Sequence, residues 1–338
     1  MDLGKFPPQL LQRLLAREGT HDPRVVLGPR VGEDAAVIDI GERLLVAKSD
    51  PITFATDDIG WYAVQVNAND IACTGGVPMW FLATLLVPES FTETQAEAVY
   101  VQVLDACTAM DVALIGGHSE VTHGIDRPLV LGTMLGEVER DRLVSTGGAR
   151  EGDSIVITKG VAVEGTSVLA REFERQLLAA GLSASSLEAA REYLYRPGIS
   201  VVQEARVARA VAEVHSMHDP TEGGLATGLR EIAHASGMGL AVEQSSIPVL
   251  SECEEICSLL NLNPLGLLAS GCLIITLPSP QVPNLLRALE EAGINAWEVG
   301  QIIAPEEGLI VIGYEGEVPL PEFSRDELAR YISENAQG

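Results

Sequence analysis

Between Ile59 and Cys73 apolar residues recur at helical spacing, through Trp61, Val64, Ala68 and Ile71, and the pattern stops at Thr74-Gly75-Gly76-Val77-Pro78. Glycine followed by proline ends a helix, because glycine accepts the left-handed cap and proline cannot continue the ladder. Inside this apolar helix stand Asn67, Asn69 and Asp70. Asn and Asp are mediocre helix formers, since their side chains compete for backbone hydrogen bonds. A solvated face would use Glu or Lys in their place. A ligand or hydrogen-bonding role is therefore the better reading of Asp70.

The flanking segments read as an α+β or α/β protein. Residues 43–48 form a strand that delivers Ser49-Asp50 just before Pro51, and residues 79–87 form another. Ser90-Phe91-Thr92-Glu93 reads as a capping box opening a helix to about Met110. Strands are expected at 111–115 and 129–138, joined through a polar turn, Gly116-Gly117-His118-Ser119-Glu120. This β-rich half ends near Arg140, and Gly147 to Asp153 is a turn-rich junction. Beyond it helices (163–180, 185–194, 199–214, 222–236, 250–260, 281–292) alternate with strands (154–158, 239–243, 271–277, 296–299, 309–312). With 338 residues, too many for one ordinary core, two domains follow, at 1–146 and 147–338.

The formal net charge of −26 sets the chain against nucleic acid and anionic membrane. No apolar run is long enough to span a bilayer, and Met1-Asp2-Leu3-Gly4-Lys5 lacks the regions of a signal peptide, so a cytoplasmic protein is expected. Cys73, Cys107, Cys253, Cys257 and Cys272 form no zinc pattern and read as small buried hydrophobes. The lysines are Lys5, Lys48 and Lys159, each in or beside a motif, and a flexible point charge suits phosphate.

In such an acidic chain an anionic substrate must be met by local positive charge or a metal. Asp34 (in Gly32-Glu33-Asp34-Ala35), Asp50, Asp70 and Asp219 (in His218-Asp219-Pro220-Thr221-Glu222-Gly223-Gly224) read as a distributed set for Mg²⁺ and nucleotide phosphates. Mg²⁺ usually binds through a few carboxylates plus phosphate oxygens rather than an all-protein cage. Structural readings stand beside this one. Asp34 can head a strand, Asp50 can be a turn residue, and Asp219, Pro220 and Glu222 make a sound helix start at N-cap, N1 and N3. Gly223-Gly224 in a first helical turn weakens the helix, and is better explained by a ligand approaching the backbone amides. His118 is compatible with a phosphate donor, a base or a loop residue, and Glu120 is the more natural extra metal oxygen. No Walker loop, dinucleotide fingerprint or nucleophile elbow is present.

With these segments in this order, the chain resembles the AIR synthase (PurM) superfamily over nearly its whole length, and within it HypE and HypE-like proteins. The resemblance is carried by Ala68-Asn69-Asp70-Ile71-Ala72-Cys73-Thr74-Gly75-Gly76-Val77-Pro78, by Met217-His218-Asp219-Pro220-Thr221-Glu222-Gly223-Gly224-Leu225-Ala226, and by Asn263-Pro264-Leu265-Gly266-Leu267-Leu268-Ala269-Ser270-Gly271. It implies an N-terminal domain that pairs with a second copy as a dimeric β-barrel, and a C-terminal α+β domain. It also implies ATP in a cleft near the dimer interface, with Mg²⁺ on Asp34, Asp50, Asp70 and Asp219. Glu120 is then a further metal candidate, and Lys48, Asp50 and His118 are the catalytic candidates. Asp34, Asn69, Gly116, Gly117, Lys159, Thr221, Gly223 and Gly224 are the nucleotide contacts.

The reaction implied is phosphorylation of an oxygen of an amide- or carboxyl-type substrate, small or carrier-borne, with a hydrogenase-maturation partner protein. Three departures stand out. His118 replaces the Asp of a Gly-Asp-Thr motif, and Glu222 replaces the Arg of Asp-Pro-Thr-Arg-Gly-Gly. The tail Ser333-Glu334-Asn335-Ala336-Gln337-Gly338 lacks the terminal cysteine of HypE, so the HypE reaction is not expected in cis. The alternatives are a small-molecule kinase, an AIR- or thiamine-phosphate-type synthetase, and a catalytically silent nucleotide-binding paralogue acting as a partner.

Overall fold

The computed structural model describes residue 6 and residues 8–16, 21–30, 32–55 and 57–335; the N-terminal Met1–Lys5 and the last three tail residues lie outside them. The chain divides into two compact units. One comprises Asp22–Gly28 and Asp34–Leu143; the other takes Pro29–Glu33, the residues from Val144 onward and helix α1 (Pro8–Leu15).

The first unit contains β1 (Val25–Leu27), β2 (Ala36–Asp39), β3 (Leu44–Ile52), α2 (Ile59–Cys73), β4 (Val77–Val87), α3 (Glu93–Ala109), β5 (Ala113–Val121) and β6 (Leu129–Val138). Its strands form one open six-stranded sheet in the order β1-β2-β3-β6-β4-β5. Neighbours are antiparallel except β4 and β5, which run parallel. A parallel pair needs a crossover, and α3 supplies it.

Helix α2 has the bounds that its periodicity and Gly-Pro stop predict, and every residue in it except Trp61 is buried. A helix covered on all sides must be apolar all round or have its polar groups bonded. It packs on β3, β4 and β6 and against α3. Glycines make the approach possible. A Cβ on Gly132 of β6 would fall 2.4 Å from Asn67 Nδ2, and one on Gly60 would fall 2.7 Å from Gln102 Cβ of α3.

The structure differs from two local expectations. The capping box is Thr92 with Gln95, not Ser90 with Glu93: Thr92 Oγ1 accepts the Gln95 amide and Gln95 Oε1 accepts the Thr92 amide. The Gly116-to-Glu120 motif is not a turn but part of strand β5, at the open edge of the sheet. Gly117 belongs there because a Cβ would lie 1.8 Å from the Ala83 carbonyl oxygen of β4.

The second unit holds β7 (Asp153–Thr158), α4 (Val163–Glu172), α5 (Glu174–Ala180), α6 (Ala184–Glu192), α7 (Val202–Val211), β8 (Ser216–His218), α8 (Gly224–Ser236), β9 (Gly239–Glu243) and α9 (Ser251–Leu260). It continues with β10 (Ile274–Pro278), α10 (Val282–Glu291), β11 (Ala296–Ile303), β12 (Leu309–Gly313), β13 (Gly316–Pro319) and α11 (Glu327–Asn335). The sheet order is β13-β12-β9-β11-β7-β10-β8. β7 lies inside this sheet and is buried at every position, which is why its sequence shows no alternation.

The single helix expected over 163–180 is two, broken at Phe173 (φ −121°, ψ 29°), whose ring meets Tyr331 of α11 edge-on at 5.1 Å. All five cysteines are buried and unpaired by disulfides; burial alone pushes the Cys107 thiol up to about 11. Among the described residues no helix is long and apolar enough to cross a membrane.

The close approach at Gly132 has a measurable consequence. Gly132→Ala should destabilise the protein by about 1–3 kcal/mol, since α2 must lift from β6. Gly28→Ala, whose Cβ would meet nothing nearer than 3.4 Å, should cost under about 1 kcal/mol. Paired urea denaturation curves check the difference.

Candidate functional site

In the first unit the candidate site forms where two periodicities face each other. On strand β3, Lys48 and Asp50 are two residues apart and share a face. On helix α2, Asn67, Asp70 and Cys73 are three apart and share another. The faces meet turn by turn. The Asn67 amide clamps the Asp50 backbone: Oδ1 accepts the Asp50 N–H at 2.9 Å, and Nδ2 donates to the Asp50 carbonyl at 3.2 Å and to the Ala63 carbonyl at 2.8 Å. One turn on, Lys48 Nζ lies 3.3 Å from Asp70 Oδ1 and 3.2 Å from Asp50 Oδ2. At the last turn the Cys73 thiol lies within 4.8 Å of the Asp34 carboxylate.

The Asp70 side chain is only 5% exposed. A buried carboxylate costs several kcal/mol unless it is paired, and Lys48 is the cation beside it. The donor set fits a hard divalent ion: two carboxylate oxygens, one from each element, converge on a single cationic point. Asn69 is buried on α2 as well.

His118 and Glu120 stand apart from this cluster. β5 lies three strand spacings from β3, about 14 Å. There the His118 Nε2 is 3.0 Å from Glu120 Oε2, and Thr122 donates to Glu120 Oε1 at 2.7 Å. These bonds, Thr122 first, hold the Glu120 carboxyl below its usual range. Within one chain Glu120 therefore does not join Asp50 and Asp70, because the sheet keeps them apart. Gly116, Gly117 and His118 instead line an open cleft of about 430 Å³ against Val99, Tyr100 and Val103 of α3.

In the second unit Asp219 is buried directly after β8. The helix expected from Glu222 begins two residues later, at Gly224, and Asp219 is not its cap; the N-cap is Gly223, in the left-handed region. The glycine pair is explained without a ligand. Gly223 and Gly224 have φ of +82° and +66°, and a Cβ on Gly224 would lie 2.5 Å from the Leu265 carbonyl oxygen. The amides expected to meet phosphate are also engaged: Gly223 N–H donates to Asp326 Oδ2 at 2.7 Å, and Gly224 N–H to the Thr221 carbonyl at 3.0 Å. Thr221 acts here through its carbonyl, which also accepts the Ala269 N–H at 3.3 Å. It ties the Asp219 motif to the Asn263–Gly271 motif.

Lys159 is not placed for phosphate either. Its ammonium is buried on Glu204 at 2.8 Å and donates to the carbonyls of Gly198, at 3.0 Å, and Ser200. Three acceptors use the three donors of the ammonium.

Two acidic residues that sequence reasoning passed over lie behind the Asp219 loop. Glu164, in the first turn of α4, donates its backbone N–H to the Ser270 carbonyl. Burial pushes its carboxyl up to about 8, and repulsion from Glu222, Asp326 and Asp219 adds to this. Burial likewise raises Asp326 to about 7, against the hydrogen bonds it accepts from the amides of Gly223, Leu328 and Ala329. A Glu among the small and apolar residues 161–170 was a readable signal for the first. Nothing local marks Asp326, which matters only because the chain end returns to the loop.

The fold and the sequence agree on the family. Residues 32–138 match the N-terminal domain of AIR synthase related proteins, and residues 150–312 match their C-terminal domain. The chain belongs to this family and has its two-domain PurM-like fold. The carbamoyl dehydratase HypE of Cupriavidus necator is 29% identical over 89% of this chain and 84% of its own length. Two solved structures share the fold. HypE in complex with ATP has a TM-score of 0.71 at 24% identity, covering 94% of this chain and 91% of its own. A chain of the HypE–HypF complex has a TM-score of 0.73 at 19% identity, covering 87% of this chain and 94% of its own.

The raised Glu164 carboxyl makes stability depend on pH. With its folded pKa above its unfolded value of 4.5, the neutral acid stabilises the fold fully below about pH 4.5, and that stability is lost as pH rises toward 8. Glu164→Gln keeps the shape and removes the titration. The variant should match the wild type near pH 5 and exceed it by a few kcal/mol at pH 9. Melting temperatures of both proteins across this range test it.

Proposed function

We propose that this chain is a HypE-like, ATP-dependent enzyme that uses Mg²⁺ to phosphorylate an oxygen of an amide- or carboxyl-type substrate. The observation that carries the reading is the convergence of Asp50 and Asp70 on one cationic point, held by Asn67 and filled by Lys48. A hard divalent ion takes such oxygens and usually shares itself with phosphate. Bound there, Mg²⁺ would neutralise charge on the transferring phosphoryl group. Asp50 and Asp70 are its proposed ligands, and Asp34 and Asp219 are added by the family pattern alone. Asn67 keeps the Asp50 backbone in place, and Lys48 supplies a positive charge beside the phosphates.

Support comes from two relatives. One is named a carbamoyl dehydratase, and another was crystallised with ATP. Lys159 has its donors used within the fold and is not one of the proposed nucleotide contacts. Gly223 and Gly224 are retained only as the shape of the loop that carries Asp219.

The same reading proposes a homodimer. Strand β5 offers an unpaired sheet edge with Ile115 and Val121 exposed, flanked by Tyr100, Val101 and Leu104 on α3. An exposed apolar edge of this kind is a template for another strand, and a second copy supplies one. A hydrogenase-maturation partner is proposed by analogy with the HypE–HypF complex.

Purified protein with Mg²⁺ and ATP should form ADP when a carbamoyl or carboxyl acceptor is supplied. Asp50→Asn and Asp70→Asn should each lower that rate by about 10²–10³, the scale of losing an electrostatic group at a transferring phosphate. Nucleotide binding without turnover across an acceptor panel would instead mark a silent paralogue. Transfer of phosphate to a metabolite hydroxyl or phosphate would mark a kinase. Val121→Lys should shift the dimer toward monomer in light scattering; an unchanged mass would count against the β5 edge as the interface.

A further inference from the structure

The pair of carboxylates assigned to metal already has a cation. Lys48 Nζ stands 3.2 Å from Asp50 Oδ2 and 3.3 Å from Asp70 Oδ1, so the point on which the oxygens converge is the ammonium itself. Mg²⁺ binds its oxygens at about 2.0–2.1 Å. An ion drawn to the same two oxygens needs the place that the ammonium holds, and two cations in contact repel strongly at a site as closed as Asp70. The charges agree. Counting Asp50 and Asp70 alone, Lys48 leaves one negative charge in excess, and a divalent ion in its place balances it.

The surroundings permit an exchange. Asp50 is held through its backbone by Asn67, at 2.9 and 3.2 Å, so its position does not rest on the lysine. Asp70 is fixed by a helix buried on every side. Lys48 is the adaptable member: a flexible four-carbon stem, with a side chain 21% exposed, can carry its charge outward. Lys159 is far less exposed, at 5%, and is bonded to two backbone carbonyls besides Glu204.

We propose that Lys48 is a resident counter-ion: its ammonium holds Asp50 and Asp70 in metal-binding geometry, is displaced by the incoming divalent cation, and then turns toward the anion that arrives with the metal. This rests on the reading that Asp50 and Asp70 take a metal. It adds that metal entry is an ion exchange, so that metal alone binds weakly and an anionic co-ligand, which gives the released ammonium a partner, strengthens metal binding.

The test uses Mn²⁺ as the probe, with free Mn²⁺ counted by electron paramagnetic resonance, on full-length wild type, Lys48→Met and Lys48→Arg. Without nucleotide, Lys48→Met should bind Mn²⁺ at least tenfold more tightly than wild type, and Lys48→Arg should stay within about threefold, because the charge is kept. Equal or weaker binding by Lys48→Met overturns the exchange. The wild type gives a second reading that needs no variant to fold. With three lysines in the sequence, acylation by an amine reagent can be followed at each one by peptide mass spectrometry. Saturating Mn²⁺ should raise the Lys48 rate at least threefold and leave Lys159 unchanged; a Lys48 rate that does not rise also overturns it. A wild type that binds no Mn²⁺ even with ATP sinks the metal reading itself, whereas Mn²⁺ binding with neither Lys48 effect sinks only the exchange.

Discussion

Everything in the first unit is arranged around one contact, the amide of Asn67 on the backbone of Asp50. Helix α2 is buried on every side but carries Gln65, Asn67, Asn69 and Asp70. Buried polar groups cost free energy unless they are bonded. The Asn67 amide meets that demand by gripping β3, and the grip sets the phase of the helix on the strand. Once it is set, Asp70 must face Lys48 and Cys73 must approach Asp34, because each is one turn further along. Gly132 and Gly136 on β6 are the cost of that closeness in side-chain volume: a Cβ at either would strike α2.

The second unit follows a similar logic with backbone atoms. Its hub is the Asn263–Gly271 stretch, which accepts the first amides of α4 through the carbonyls of Leu268 and Ser270 and donates the Ala269 amide to Thr221. The chain end joins in: Asp326 takes the Gly223 amide and Glu327 takes the Asn263 amide at 2.9 Å. Two of the motifs that carry the family resemblance are thus stitched to each other and to α11. Their glycines answer to this stitching first, so motif glycines are poor witnesses for a ligand until the neighbouring backbone is known.

Lys48 and Lys159 show how little residue type decides. Both were candidates for phosphate on the same grounds. One stands half-open between two carboxylates; the other is sealed on Glu204 and two carbonyls, with φ of +61°. Sequence position gave no means of separating them, because the acceptors of Lys159 lie some forty residues along the chain. The same holds for His118 and Glu120, whose motif read as a turn. Gly117, one of the two glycines that suggested the turn, is there for the close approach of β4, through the Ala83 carbonyl.

Read alone, the sequence carries the family and many of the local elements: α2 with its bounds, most of the strands and helices between residues 43 and 312, and the acidic residues available for a metal. It could do so because helix periodicity, glycine stops and motif order are properties of neighbouring residues. Which of those residues meet depends on how the elements pack. Strand order put β5 at the far edge from β3 and took Glu120 away from Asp50, the returning chain end put Asp326 on the Gly223 amide, and two faces of different period brought Asp50, Asp70 and Lys48 to one point. Those outcomes depend on contacts between residues distant in the chain, and no local pattern encodes them.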